Sequence, residues 1–92
     1  MKKITVISDG RNTGNALLEQ IKGLFGNEVI ADNILLRELP NNEFTCDLII
    51  YTSGYVNTRG SRHVDPSIKY IVAKRVINHR NIQELISLES GL

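Results

Sequence analysis

Four short apolar runs, separated by polar stretches that carry glycine or asparagine, set the frame of this chain. Ile4-Thr-Val-Ile-Ser8 is brief, β-branched and apolar on both faces, the pattern of a buried parallel strand. Asp9-Gly-Arg-Asn-Thr-Gly-Asn15 follows as a polar loop with two glycines. A helix is predicted from about Thr13 to Phe25, because Leu17, Leu18, Ile21, Leu24 and Phe25 fall on one helical face. Gly26-Asn27 supplies its left-handed cap. A second strand is predicted over 29–36, broken or bent around Asp32-Asn33, and Pro40-Asn-Asn-Glu43 is a turn cluster. Asp47-Leu-Ile-Ile-Tyr-Thr-Ser-Gly54 carries the third strand, over 47–53. About ten residues between the second and third strands leave room for a loop or a single helical turn, not a full helix. Tyr55 to Ser67 shows no clean period and reads as a loop with space for one short helix. The fourth strand is predicted over 68–73. A last helix is capped by Asn78 or Asn81, with Asn81-x-x-Glu84 in capping-box spacing, Ile82, Leu85 and Ile86 on its buried face and Gly91 at its C-cap.

This order, strand-helix-strand-strand-strand-helix, predicts an α/β fold in a single domain over residues 1–92. It is a small, receiver-like, doubly wound parallel sheet with the flavodoxin-like strand order 2-1-3-4, truncated after the last helix. The chain stops where another parallel strand would begin, which points to a regulatory module cut from something longer. In such sheets ligands sit beyond the carboxyl ends of the strands, at the point where the strand order reverses. That geometry singles out Ser8–Thr13 and Thr52–Gly54.

Composition narrows the classes. Net charge is +1, with −1 on residues 1–46 and +2 on residues 47–92, too little asymmetry to argue for nucleic-acid binding. The single cysteine, Cys46, excludes an internal disulfide and fits a reducing cytoplasm. The basic start, Met1-Lys-Lys, precedes only four apolar-run residues before Ser8-Asp9, so it is a strand and not a signal peptide. No stretch reaches the eighteen apolar residues of a membrane span.

The candidate chemistry lies at the strand ends. Backbone N–H groups of Asp9-Gly-Arg-Asn-Thr-Gly-Asn15, with Asn12 and Thr13, offer an anion a cradle at a helix start. The loop is neither a P-loop nor a dinucleotide fingerprint. Thr13-Gly14-Asn15 resembles the phosphate loop of flavodoxins, without the aromatic loops that enclose the flavin ring; the plainer reading is an Asn/Gly turn with an N-cap. Receiver chemistry needs an acidic pair after the first strand and an Asp at the end of the third. Here Asp9 has no acidic neighbour, and Thr52-Ser53 stands at the acceptor position. Cys46 precedes the third strand, whereas the phosphocysteine of sugar-phosphotransferase IIB domains follows the first; it reads as a half-buried structural thiol. His63 and His79 lack metal-ligand spacing and read as surface residues. Lys74-Arg75, at the end of the fourth strand, can pair with a carboxylate or phosphate; solvated strand-end charges are the alternative.

Ala73-Lys-Arg-Val-Ile-Asn78, followed by Asn81-Ile-Gln-Glu-Leu-Ile-Ser-Leu88 and Gly91, resembles the N-terminal domain of some Firmicute sigma-54-dependent transcriptional activators. There an Ala-Arg-Arg-Thr-Ile-Asn-like run closes the fourth strand. Cys46-Asp-Leu-Ile-Ile-Tyr-Thr-Ser53 falls where those proteins have an Ala-Asp-Leu-Val-Leu-Ser-Ser-like strand. The likeness extends over nearly the whole chain and departs at Lys74 and Val76, where Arg and Thr are usual, and in the missing final strand. It implies a receiver-like relative of the propionate-activator sensor domain, without a phosphoacceptor, placed ahead of an AAA+ ATPase and a helix-turn-helix. The resulting expectation is a bacterial, cytoplasmic, non-enzymatic sensory domain that controls transcription through those downstream domains. It uses no cofactor or metal and makes no direct contact with nucleic acid or membrane; homo-oligomers are compatible with it. Its effector, small and acidic, is expected to dock among Asp9, Gly10, Asn12, Thr13, Thr52, Ser53, Gly54, Lys74 and Arg75. The alternatives are a small flavodoxin-like protein that binds phosphate or flavin, and a phosphotransferase IIB-like domain.

Overall fold

The first apolar run sits at the centre of the sheet. In the computed structural model, which describes residues 2–41 and 44–73 together with 84 and 86, β1 spans Lys2–Ser8. It pairs in parallel with β2 (Val29–Leu35) on one side and β3 (Leu48–Tyr51) on the other. β4 (Tyr70–Val72) adds in parallel to the outer side of β3. The order is therefore 2-1-3-4, a small flavodoxin-like doubly wound sheet. Every residue from Ile4 to Ser8 and from Leu48 to Tyr51 is buried, which is why these two runs lack the apolar–polar alternation of a half-exposed strand and admit only the small polar residues Thr5 and Ser8.

Side-chain alternation along the strands builds two cores. Ile4, Val6, Leu48, Ile50, Ile71 and Ala73 pack with Leu17, Ile21 and Phe25 of α1 (Arg11–Phe25). Ile86, helical and fully buried, belongs to the same cluster. Ile7, Ile49 and Tyr51 face the other way, under Leu39 and Val56 of α2 (Gly54–Gly60). Each fully buried Leu or Ile contributes roughly 1.5–3 kcal/mol, so both layers are needed to hold so small a sheet. Of the predicted helical face, Leu17, Ile21 and Phe25 are buried, while Leu18 and Leu24 are half-buried.

Some boundaries differ from expectation. α1 begins at Arg11, two residues before Thr13, because Gly10 is extended and serves as the N-cap. Gly26 closes α1 at φ +55°, a region that favours glycine, and its N–H bonds to the Lys22 carbonyl. β2 is neither broken nor bent at Asp32-Asn33. Its ladder with β1 runs without interruption from Lys2 opposite Val29 to Ser8 opposite Leu35. Tertiary hydrogen bonds outweigh the poor strand propensity of Asn33: its Oδ1 accepts from Ser8 Oγ at 3.0 Å, and its Nδ2 donates to Asn15 Oδ1 at 3.4 Å. The link from β2 to β3 contains one 3-10 segment, Leu36–Asn41, as the short spacing predicts. β4 is shorter than 68–73, because Ile68 N–H turns back to the Asp65 carbonyl and ladder bonding starts at Lys69, whose carbonyl accepts from Ile49 N–H.

Among the described residues no helix is long and apolar enough to cross a membrane. The expectations placed on Lys74, Arg75, Asn78, His79, Asn81, Ile82, Leu85 and Gly91 lie outside the described residues.

Candidate ligand cleft at the strand ends

The parallel register fixes which loops meet. Ile7 lies opposite Tyr51, and Thr52 N–H bonds to the Ile7 carbonyl at 3.1 Å, so Ser8-Asp9-Gly10 and Thr52-Ser53-Gly54 leave the sheet side by side. The chain turns to one face after β1 and to the opposite face after β3, which opens a crevice between them. Asp9, Gly10, Asn12, Thr13, Thr52, Ser53 and Gly54 therefore share this edge. Ala73 reaches the same edge, with its N–H on the Tyr51 carbonyl at 2.7 Å.

These residues have unequal freedom. No side chain caps α1 and no acid occupies its first turn, so its leading amides lack a side-chain acceptor. Gly14 is committed to packing: a Cβ there would run into Ser8 Oγ and the Asn33 carboxamide. Thr13-Gly14-Asn15 is thus explained by the close seating of α1 on the sheet. Ser53 is the N-cap of α2, and its Oγ accepts from Val56 N–H at 3.2 Å. Thr52 Oγ1, beside it, is buried and has no hydrogen-bond partner.

A cleft of about 490 Å³ opens at this edge, lined by Asp9, Leu35, Leu36, Arg37, Tyr55, Arg59, Arg62 and His63. Of the expected site residues that the structure describes, only Asp9 lines it. Arg37 comes from the segment after β2. The others come from α2 and the 3-10 turn Ser61–His63 that continues it. The stretch 55–67 does have a helical period, carried by its polar side. Tyr55, Arg59, Arg62 and His63 stand at i, i+4, i+7 and i+8, while Val56 and Gly60 supply the buried side. The stretch has the one short helix for which the sequence left room, and an apolar count does not place it because one of its two buried positions is glycine. Gly60 lies against Leu39 and Tyr51, where an added Cβ would sit at 3.2 Å from each.

Arg37, Arg59, Arg62, His63, Asp9 and Tyr55 are all exposed. The Arg59 guanidinium lies over the Tyr55 ring, 5.1 Å from its centroid. Among the described residues no carboxylate pairs with any of the three arginines. The cleft thus presents three guanidiniums against one carboxylate.

Cys46 lies at the opposite, amino end of β3, half-buried. Burial pushes its thiol pKa up; a contact from Thr5 opposes this in part, and the Asp32 carboxylate adds a lesser rise. Burial likewise raises the Tyr51 phenol, whose ring meets Tyr70 edge-on at 5.7 Å. Among the described residues no three His, Cys, Asp or Glu side chains gather as a metal site. No protein-family model matches this chain, and no curated protein or solved structure matches it either.

Proposed function

We propose that this chain is a non-enzymatic sensory and regulatory domain, of the kind that precedes the AAA+ ATPase in the sigma-54-dependent activators it resembles. A small acidic effector in the strand-end cleft is its signal. The observation that carries the reading is the cleft itself: three arginines, without a carboxylate partner among the described residues, gathered at the carboxyl edge of a receiver-like sheet. A receiver would place its phosphoacceptor at the end of β3. Here that position holds Thr52 and Ser53, and the Ser53 hydroxyl is engaged in capping α2. An effector gripped by Arg59 and Arg62 would fix α2 relative to the end of β2, where Arg37 stands. That is a route from binding to a change in surface seen by a neighbouring domain.

The test uses the protein as the cell makes it. On this reading an AAA+ ATPase follows residue 92 in the full-length protein, and deleting residues 1–92 is expected to change its ATP-hydrolysis rate by severalfold; a gene that encodes no such domain overturns the reading as well. An unchanged rate with and without those residues overturns the regulatory reading.

A further inference from the structure

We infer that the effector is a phosphomonoester of a small hydroxylated molecule, a sugar phosphate in class. This deepens the effector reading given above and rests on it. A single carboxylate is satisfied by one guanidinium, through a planar two-point contact. Here three guanidiniums border one opening, from two separate segments of the chain. Such a set suits a dianion with three terminal oxygens, each able to accept from a different arginine. Phosphate in a monoester has that shape and charge near neutral pH; a diester has one charge fewer and two free oxygens.

The rest of the cleft reads as the seat of the carbon skeleton. Among the described residues Asp9 is the only carboxylate on the wall, and it would repel a bare anion. Set beside the guanidiniums, it accepts hydrogen bonds from hydroxyl groups, which a sugar chain offers. Leu35 and Leu36 give an apolar floor, and about 490 Å³ lies within the size range of small-molecule pockets. The positive charges come from Arg37 and from the α2 side, whereas the turn between β1 and α1, where a flavodoxin holds phosphate, contributes Asp9 to the wall. Arg59 is held in place by Tyr55 before any ligand arrives, which lowers the entropy lost when it binds.

Titration of the 15N-labelled chain with ribose 5-phosphate, inorganic phosphate, ribose and succinate tests this, with calorimetry for affinity. Ribose 5-phosphate is expected to move the amides of 36–37, 55 and 59–63 and to bind more tightly than inorganic phosphate. Arg59→Ala and Arg62→Ala should each weaken it by about tenfold or more. Asp9→Asn should erase the preference for the sugar ester while leaving inorganic phosphate as well bound or better. Lys22→Ala, at the far end of α1, should change nothing. The dispersion of each variant's spectrum verifies its fold, and Arg59→Lys, which keeps the charge and loses the planar fork, should fall between wild type and alanine. Equal or tighter binding of succinate at the same amides overturns the phosphate assignment while a sensory domain still stands. Ribose 5-phosphate binding that ignores the arginine variants, or no movement of the cleft amides with any of the four probes, overturns the site.

Discussion

Two glycines in one helix show how much a single Cβ can decide. Gly23 has open space around it, so Gly23→Ala gains helix propensity and costs no contact; a stabilisation of roughly 0.5–1 kcal/mol is expected. Gly14 gains the same propensity but drives a methyl into Ser8 and Asn33. Either α1 lifts from the sheet or the Ser8–Asn33 bond breaks and leaves the fully buried Ser8 hydroxyl unsatisfied. Overpacking costs about 1–3 kcal/mol and an orphaned buried hydroxyl a similar amount, so the sum outweighs the gain. Gly14→Ala should lower the melting temperature and Gly23→Ala should raise it, by about 4–8 °C for each kcal/mol. Equal effects from the two substitutions would show that α1 does not seat as closely as described. The glycine of Thr13-Gly14-Asn15 is visible in the sequence, but its reason is not. The neighbour that requires it, Asn33, is far along the chain and becomes adjacent only through the β1–β2 register.

At the scale of elements, α2 connects fold and cleft. It is only seven residues long, and it holds Tyr55 and Arg59 and aims the turn that carries Arg62 and His63. Isolated helices of this length do not persist in water, so α2 depends on its Ser53 cap and on the burial of Val56 and Gly60. Ser53→Ala should cost about 1 kcal/mol of stability and should also weaken anion binding in the cleft, although Ser53 does not line it. Loss of stability with unchanged binding would mean that the arginines are positioned without help from the cap. β1 and β3 were legible because runs buried on both faces are almost wholly apolar, and the 2-1-3-4 order is the flavodoxin-like arrangement expected of that sequence of elements. For α2 the sequence left room for one short helix between 55 and 67 but did not place it. Its inward side is built from Val56 and a glycine, and its periodic signal lies in Tyr55, Arg59, Arg62 and His63. Reading the polar residues for a helical period would have found both the helix and most of the cleft. The continuous β2 was missed for the opposite reason, since Asn33 is poor in strands on its own and is held there by Ser8 and Asn15.

On the scale of the whole molecule, the cluster under α2 contains two ionisable side chains, the Tyr51 phenol and the Cys46 thiol. Burial raises the pKa of both, and this gives folding an alkaline limit. In the unfolded chain a thiol ionises near pH 8.5 and a phenol near 10. The folded state favours the neutral form of each, so it retains protons that the unfolded chain has already released. Stability is therefore fully present below about pH 8.5 and falls as pH rises, first through Cys46 and above about pH 10 through Tyr51 as well. Melting temperatures followed from pH 7 to 10.5 should decline across that range. Cys46→Ala should flatten the first part of the decline, and Tyr51→Phe, which keeps the ring against Tyr70, should flatten the last. A wild-type profile with no decline up to pH 10.5, or one that neither variant alters, would show that these groups reach solvent in the folded state. In that case the α2 layer covers β3 less completely than the burial of Tyr51 implies, and the arginine cleft that α2 supports would be correspondingly loose.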